Sequence, residues 1–158
     1  MAIYFYKEHG DLGYLANYSN HGFELYGKYW PTVEHFYQAQ KFENFELQEK
    51  IRNASTPKIA SMIGRDRNNK LRENWRNIKR DVMLEGVLAK FRAHPNILRK
   101  LLDTGEEEII ENTDIDYYWG CGENKTGRNE FGKILVKART ILREENKWFI
   151  FQKKEKKN

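Results

Sequence analysis

In the stretch from residue 29 to residue 45, YWPTVEHFYQAQKFENF, apolar side chains are spread around the whole circumference of a helical wheel. This pattern predicts a helix that is contacted on most sides. Thr32 can cap the free N–H groups of its first turn. At about 3.6 residues per turn, Glu34, Gln38 and Lys41 fall along one polar line. A buried charge without a partner costs on the order of several kcal/mol, so this line must face a water-filled cleft or buried polar partners. The helix dipole alone also favours a first-turn glutamate, without any catalytic role.

Short β-prone runs precede this helix, and helical patterns follow it. Residues 3 to 6 and the hairpin-like run 23 to 30, FELYGKYW, predict a small sheet. The later segments with helical periodicity or helix start signals are 47 to 52, 57 to 64, about 70 to 92, 96 to 103 and 131 to 142. The pattern predicts a single α+β, helix-rich domain over residues 1–152 and a basic tail over 153–158. Trp148 to Phe151 is expected to add a last strand or to pack over the core.

One helical segment carries cations around a tryptophan. Arg72, Trp75, Arg76 and Lys79 are spaced i, i+3, i+4 and i+7, which places them on one face of the segment from about residue 70 to 92. Trp75 is therefore either a core anchor with solvated basic neighbours or a stacking platform beside groups that bind anions.

Two loops contain candidate ligand contacts. The first, residues 13 to 20, carries two tyrosines and two asparagines that could reach a ligand. The second precedes the last helix and is rich in glycine; its glycines and polar residues are Gly120, Gly122, Asn124, Lys125, Gly127, Arg128, Asn129 and Gly132. A glycine loop that leads into a helix can present backbone N–H groups to phosphate. Its spacing fits neither the Walker A nor the dinucleotide fingerprint.

Composition narrows the class of protein. The 158 residues fit one domain, and 39% hydrophobic with 14% aromatic residues is typical of a folded globule. A net charge of +5 favours an anionic partner, either a phosphorylated small molecule or a nucleic acid. The longest apolar runs are only a few residues, so we expect a cytosolic protein without a membrane span. Cys121 is the only cysteine and the four histidines are scattered, so neither a disulfide nor a structural metal is expected.

Several separated stretches together resemble the YbiA-like proteins, also called the NADAR family. They are Ala16-Asn17-Tyr18, the run from Trp30 to Phe42, Gly64-Arg65, Arg72 with Trp75 and Lys79, Lys90-Phe91, Leu102 with Thr104-Gly105, Asp116 with Trp119-Gly120, and Gly127, Asn129 and Gly132. The resemblance covers about residues 13 to 143. It implies a compact, helix-rich α+β domain that hydrolyses N-glycosidic bonds of ribose derivatives. Two substrate groups are implied: phosphoribosylamino-pyrimidine intermediates of riboflavin synthesis, and ADP-ribose attached to nucleobases such as guanine.

Hydrolysis of an N-glycosidic bond would give each residue of the polar line of Glu34, Gln38 and Lys41 a role. Breaking a ribose C–N bond builds oxocarbenium-like charge, and the departing base needs a proton or hydrogen bonds, so two carboxyl groups can divide the work. We expect Glu34 to be the main catalytic carboxylate, with Lys41 and Gln38 setting its charge and orientation. Asp116 is expected to be the partner carboxyl group; it could instead cap a turn of its loop.

The remaining candidates are expected to bind substrate. Trp75 and Trp119 would stack on the base or ribose, and two asparagines, Asn17 and Asn129, could fix ribose hydroxyls or the base edge. The cations available for phosphate are Arg65, Arg72, Lys79 and Arg128. No metal or organic cofactor is required, because water is the only second reactant.

Two other classes of protein are compatible with the same residues. A non-catalytic module that binds ADP-ribose or nucleotides should tolerate Glu34→Gln. A nucleic-acid-binding domain, which the basic charge and aromatic content also suggest, should bind in a way that weakens steeply with salt.

Overall fold

The computed structural model describes residues 1–147 and 154–157, and within them the predicted α+β class is confirmed. The strands are β1 (Ala2–Phe5), β2 (Phe23–Leu25), β3 (Lys28–Trp30) and β4 (Glu108–Glu111). The helices are α1 (Val33–Gln40), α2 (Phe45–Arg52), α3 (Pro57–Gly64), α4 (Trp75–Ala93), α5 (Pro95–Asp103) and α6 (Glu130–Glu145).

The strands form two separate two-stranded sheets. β2 and β3 pair antiparallel through a tight turn whose central residues, Tyr26 and Gly27, both have positive φ, as a type I′ turn requires. β1 instead pairs in parallel with β4, which places Ile3 opposite Ile109. The first run and the hairpin therefore do not share one sheet, and β4 is a strand that the sequence pattern did not predict.

Helix α1 occupies the centre of the core and packs against α2, α3 and α4. The Phe36 ring lies 5.4 Å from the Trp30 ring and 6.1 Å from the Phe23 ring, centroid to centroid. Gly86 of α4 allows this contact, because a Cβ atom there would lie 2.9 Å from Cδ1 of Phe36. The helix that carries the polar line is thus surrounded by packed elements, as its sequence predicts.

Two of the helices begin at the capping residues that the sequence predicts. Thr32 caps α1 by accepting a hydrogen bond from the N–H of His35 at 3.2 Å, and Thr56 caps α3, with Pro57 in the first turn. Both starts are confirmed. α4, however, begins at Trp75 rather than near residue 70.

Arg72 lies before α4, so it does not share a helical face with Trp75. Its backbone N–H donates to the carbonyl of Lys41 at 2.8 Å, and its Nε donates to the carbonyl of Gln40 at 2.7 Å. These bonds satisfy carbonyls that the end of α1 leaves without helical donors.

The segment from Trp148 to Phe151, expected to add a strand or to pack over the core, lies outside the described residues, and the domain boundary at residue 152 stays a prediction. Within the described ranges, no helix has the length and apolar character needed to cross a bilayer.

Candidate active site

Glu34 is the centre of the site. Its carboxyl group is buried, with the residue only 3% exposed. It accepts hydrogen bonds from Nε2 of Gln38 at 2.7 Å and from Nδ2 of Asn17. The N–H of Glu34 donates in turn to the carbonyl of Asn17 at 3.0 Å. The structure therefore brings together the polar line of α1 and an asparagine from the preceding loop.

A buried lysine holds that loop in place. Lys90 of α4 is almost fully buried, and its Nζ donates to the carbonyls of Tyr14 at 2.6 Å and Ala16 at 3.0 Å. It also donates to Oγ of Ser19 at 3.0 Å. Because these acceptors lie on both sides of Asn17, Lys90 fixes the segment that presents Asn17 to Glu34.

The groups around Glu34 shift the pKa of its carboxyl group in opposite directions. Burial raises the pKa of Glu34, because the anion loses its hydration. The Gln38 hydrogen bond and the charges of Arg65 and Lys41 oppose this effect by stabilising the anion. The carboxylate therefore has the donors and cations that an ionised buried group needs.

Lys41 directly follows α1, and its charge acts on the Glu34 carboxyl group. Its Nζ lies 3.5 Å from the carbonyl oxygen of Gly64 and 5.6 Å from the centre of the Tyr37 ring. Burial lowers the pKa of Lys41 to about 8, while the charge of Glu34 acts in the opposite direction. Lys41 can therefore gain or lose a proton near neutral pH.

An open cleft of about 520 Å³ lies beside Lys41. Its lining residues are Lys41, Gly64, Arg65, Asp66, Arg67, Asn69, Leu71 and Trp75. Gly64 lines this cleft and approaches Gln38, the donor to Glu34, so closely that a Cβ atom on it would lie 2.1 Å from Oε1 of Gln38. The cleft and the buried carboxyl group therefore belong to one site. The three cations in its wall suit an anionic ligand.

Aromatic rings cluster around Tyr37. Its ring centre lies 5.2 Å from that of Trp75 and 5.6 Å from that of Trp119, the latter edge to face. Trp75 is only 6% exposed, so most of it packs in the core while it also borders the cleft. Trp119 is partly buried. Both tryptophans lie near the site, and stacking of either on a substrate stays a prediction.

A second group of cations lies around the ring of Tyr118. Lys79 Nζ lies 3.9 Å above the centre of its ring, and the Arg128 guanidinium lies 5.0 Å from it. Burial lowers the pKa of Lys79, and the charges of Arg76, Arg80 and Arg128 lower it further. Arg128 also pairs with Glu130 at 2.9 Å. This basic patch, residues 76, 79, 80 and 128, attracts anions next to the aromatic cluster.

Asp116 and Asn129 make hydrogen bonds to the backbone. Asp116 Oδ1 accepts from the N–H groups of Tyr118 at 2.9 Å and Trp119 at 2.8 Å, so it caps the turn that carries Trp119. Asn129 donates to the carbonyl of Ile109 at 2.9 Å and accepts from the N–H of Glu111 at 3.0 Å. A substrate contact through Asn129 would require these bonds to break.

Several backbone N–H groups of the glycine-rich loop are bonded within the protein. The N–H groups at the start of α6, those of Glu130 and Phe131, donate to the carbonyls of Tyr118 and Trp119 at 2.9 and 3.0 Å. The N–H of Gly127 is likewise used within the loop, at 2.7 Å. For these three N–H groups the expectation of free donors is wrong, because the loop folds back and satisfies them itself.

Glu111, the last residue of β4, is a candidate that the sequence pattern did not reveal. Its Oε2 is shielded from solvent and has no hydrogen-bond partner within the described residues. Burial, with the charges of Asp116 and Glu34, raises the pKa of Glu111 to about 7. The apolar pair Ile109-Ile110 after the Gly105 turn is the signal that could have marked the strand. In the described part of the chain, no three side chains converge as a metal ion would require.

Comparison with known proteins defines the class. The NADAR domain family matches residues 4–143, so the chain belongs to the NADAR family and the resemblance is confirmed. It is 43% identical over 146 residues to the N-glycosidase Npun_R5314 of Nostoc punctiforme, across 90% of this chain and 94% of that protein. It is 39% identical to the N-glycosidase YbiA of Escherichia coli, across 89% and 88%.

Two further similarities are one to a solved structure and one to a longer protein. The NMR structure of E. coli YbiA matches this fold with a TM-score of 0.86, over 92% of this chain and 86% of that one. The riboflavin biosynthesis protein VVA0006 of Vibrio vulnificus is 38% identical over 90% of this chain, which corresponds to 39% of its own length.

Proposed function

We propose that this protein is an N-glycosidase that hydrolyses the N-glycosidic bond of a phosphorylated ribose derivative. The observation that carries the proposal is the buried Glu34 carboxyl group, held by Asn17 and Gln38 beside a cleft with three cations in its wall. Relatives that align with most of this chain are named N-glycosidases, which supports the same reaction.

The site contains the groups that this reaction needs. As the C–N bond lengthens, positive charge develops on the ribose, and the Glu34 carboxylate stabilises it or activates the attacking water. Asn17 and Gln38 fix the orientation of the carboxylate, and Lys41 adjusts its charge. Arg65 and Arg67 in the cleft wall hold the phosphate.

Riboflavin-pathway intermediates are the first substrate class. Two relatives are named riboflavin biosynthesis proteins, VVA0006 of Vibrio vulnificus and PYRR of Zea mays. ADP-ribose on guanine is the second class. The basic patch around Tyr118 favours it, because a second cationic surface next to the cleft suits a ligand with more than one phosphate.

The test offers purified protein both substrates, a phosphoribosylamino-pyrimidine and an ADP-ribosylated guanine, and measures released base by chromatography with mass detection. Glu34→Gln should lower kcat by ~10²–10⁴-fold while retaining ligand binding. Glu46→Gln is the matched control, because Glu46 occupies the same position in the first turn of α2 and is exposed. It should keep kcat within about twofold, since surface changes are usually nearly neutral.

Other outcomes would favour the other classes. If the wild type releases no base from either substrate, yet both it and Glu34→Gln bind ligand tightly, the protein is a binding module. If nucleic-acid binding weakens steeply with salt and no base is released, it is a nucleic-acid-binding domain.

A further inference from the structure

The position of Glu111 is set by three elements. Side chains alternate along β4, so Glu111 shares the inward face with the buried Ile109, and it lies opposite the buried Phe5 of β1. Its N–H donates to Oδ1 of Asn129 at 3.0 Å, and its carbonyl accepts from the N–H of Cys121 at 3.0 Å. The backbone is therefore held from both sides, and the side chain is directed inward.

The environments of Glu111 and Glu34 favour different protonation states of the two carboxyl groups. Glu34 has two hydrogen-bond donors and two cations beside it. Oε2 of Glu111 has no donor within the described residues. The turn that holds Asp116 packs against the Glu111 backbone, since a Cβ atom on Gly120 would lie 2.9 Å from the carbonyl oxygen of Glu111 and 3.2 Å from that of Asp116. Trp119 of the same turn lies 5.6 Å from Tyr37 of α1, ring centre to ring centre, and the charges of Asp116 and Glu34 disfavour ionisation of Glu111. Of the two carboxyl groups, Glu34 is therefore better placed to carry a negative charge and Glu111 is better placed to hold a proton.

We propose that Glu111 is a catalytic residue of this site and acts as the general acid that protonates the departing base. This inference rests on the proposed N-glycosidase function. The C–N bond breaks with its electron pair passing to the base nitrogen, and that nitrogen takes the carboxyl proton of Glu111. Water adds its oxygen to the anomeric carbon of ribose and gives a proton to Glu34. Exchange with solvent then returns a proton to Glu111 and removes one from Glu34.

Asp116 has a different part in this arrangement. Its Oδ1 is committed to the turn that carries Trp119, and its charge keeps the proton on Glu111. It is therefore a positioning residue that acts through Glu111. This assignment replaces the expected pair of Glu34 and Asp116 with a pair of Glu34 and Glu111.

The experiment compares kcat, KM and their pH profiles for the wild type, Glu111→Gln and Glu108→Gln. Glu108 lies on the same strand but is exposed, so its change should leave all three measurements unaltered. Glu111→Gln keeps the shape but has no transferable proton, so kcat should fall by ~10²–10⁴-fold with KM within a few-fold. The wild type should lose activity as pH rises through about 7, the pKa of Glu111, and Glu111→Gln should lack that alkaline limb.

Glu111→Asp provides a second variant, because it retains an acid but withdraws it by one methylene. It should keep the alkaline limb at reduced kcat. An active wild type without that limb, or a Glu111→Gln variant that keeps the limb and kcat within about threefold, would overturn the role of Glu111 and leave the N-glycosidase proposal intact. A wild type inactive on both substrates would remove both proposals. If Glu111→Gln does not fold, the wild-type and Glu111→Asp profiles decide.

Discussion

Burial of the Glu111 carboxyl group lowers the free energy of unfolding by an amount that depends on pH. In the folded protein the pKa of Glu111 is raised from 4.5 to about 7. Between these values the unfolded carboxyl group releases its proton while the folded one keeps it, so stability falls as pH rises through this window. At ~1.4 kcal/mol per pH unit, the free energy of unfolding falls by at most ~3 kcal/mol across this window. This value is an upper limit because the residue is only half-buried.

The assay is urea unfolding of the wild type and Glu111→Gln at several pH values between 4.5 and 8. Near pH 4.5 the two free energies of unfolding should be similar. At pH 8 the variant should be more stable by ~1–3 kcal/mol, because an amide has no charge to desolvate. Glu108→Gln, on the exposed side of β4, should follow the wild type throughout. Parallel curves for wild type and Glu111→Gln would show that Glu111 titrates normally and refute the reasoning.

Two further substitutions test how Glu34 is positioned. Lys90→Met should lower the free energy of unfolding in urea by ~2–4 kcal/mol, because two buried backbone carbonyls lose their donor; the exposed Lys137→Met is its control. An unchanged stability would contradict the anchoring role. Gly64→Ala should lower kcat by about tenfold, because its Cβ would lie 2.1 Å from Oε1 of Gln38 and displace the amide that orients Glu34. Adding Gln38→Ala to Gly64→Ala should then lower kcat little further. A fully additive loss of kcat would show that Gly64→Ala does not act through the Gln38 amide.

Much of the Glu34 side of the site could be predicted because its signals are local. Thr32 marks the start of α1, and a repeat of about 3.6 residues places Glu34 and Gln38 on one line. The composition of the loop before α1 also indicates that Asn17 can reach a ligand, but only the fold shows that it reaches Glu34.

The Glu111 side could not be predicted in the same way. β4 is four residues long and pairs in parallel with β1, about a hundred residues earlier, and no local pattern encodes that partner. Its charged ends also resemble a solvated run, since Glu108 is exposed while Glu111 is not. Burial in a short strand is decided by tertiary pairing, so the environment of Glu111 appears only once the fold is known.

The stability and activity of this protein should be linked through one proton. The pH dependence of kcat/KM reports ionisations of the free enzyme, which is also the state whose unfolding is measured. If Glu111 is the acid, the alkaline limb of kcat/KM should have its midpoint at the pH where the stability difference between wild type and Glu111→Gln levels off, about 7. A limb caused by Lys41 would instead lie near its pKa of about 8 and persist in Glu111→Gln. Agreement of these two pH values would therefore show that the group whose burial lowers stability at alkaline pH is also the group that protonates the departing base.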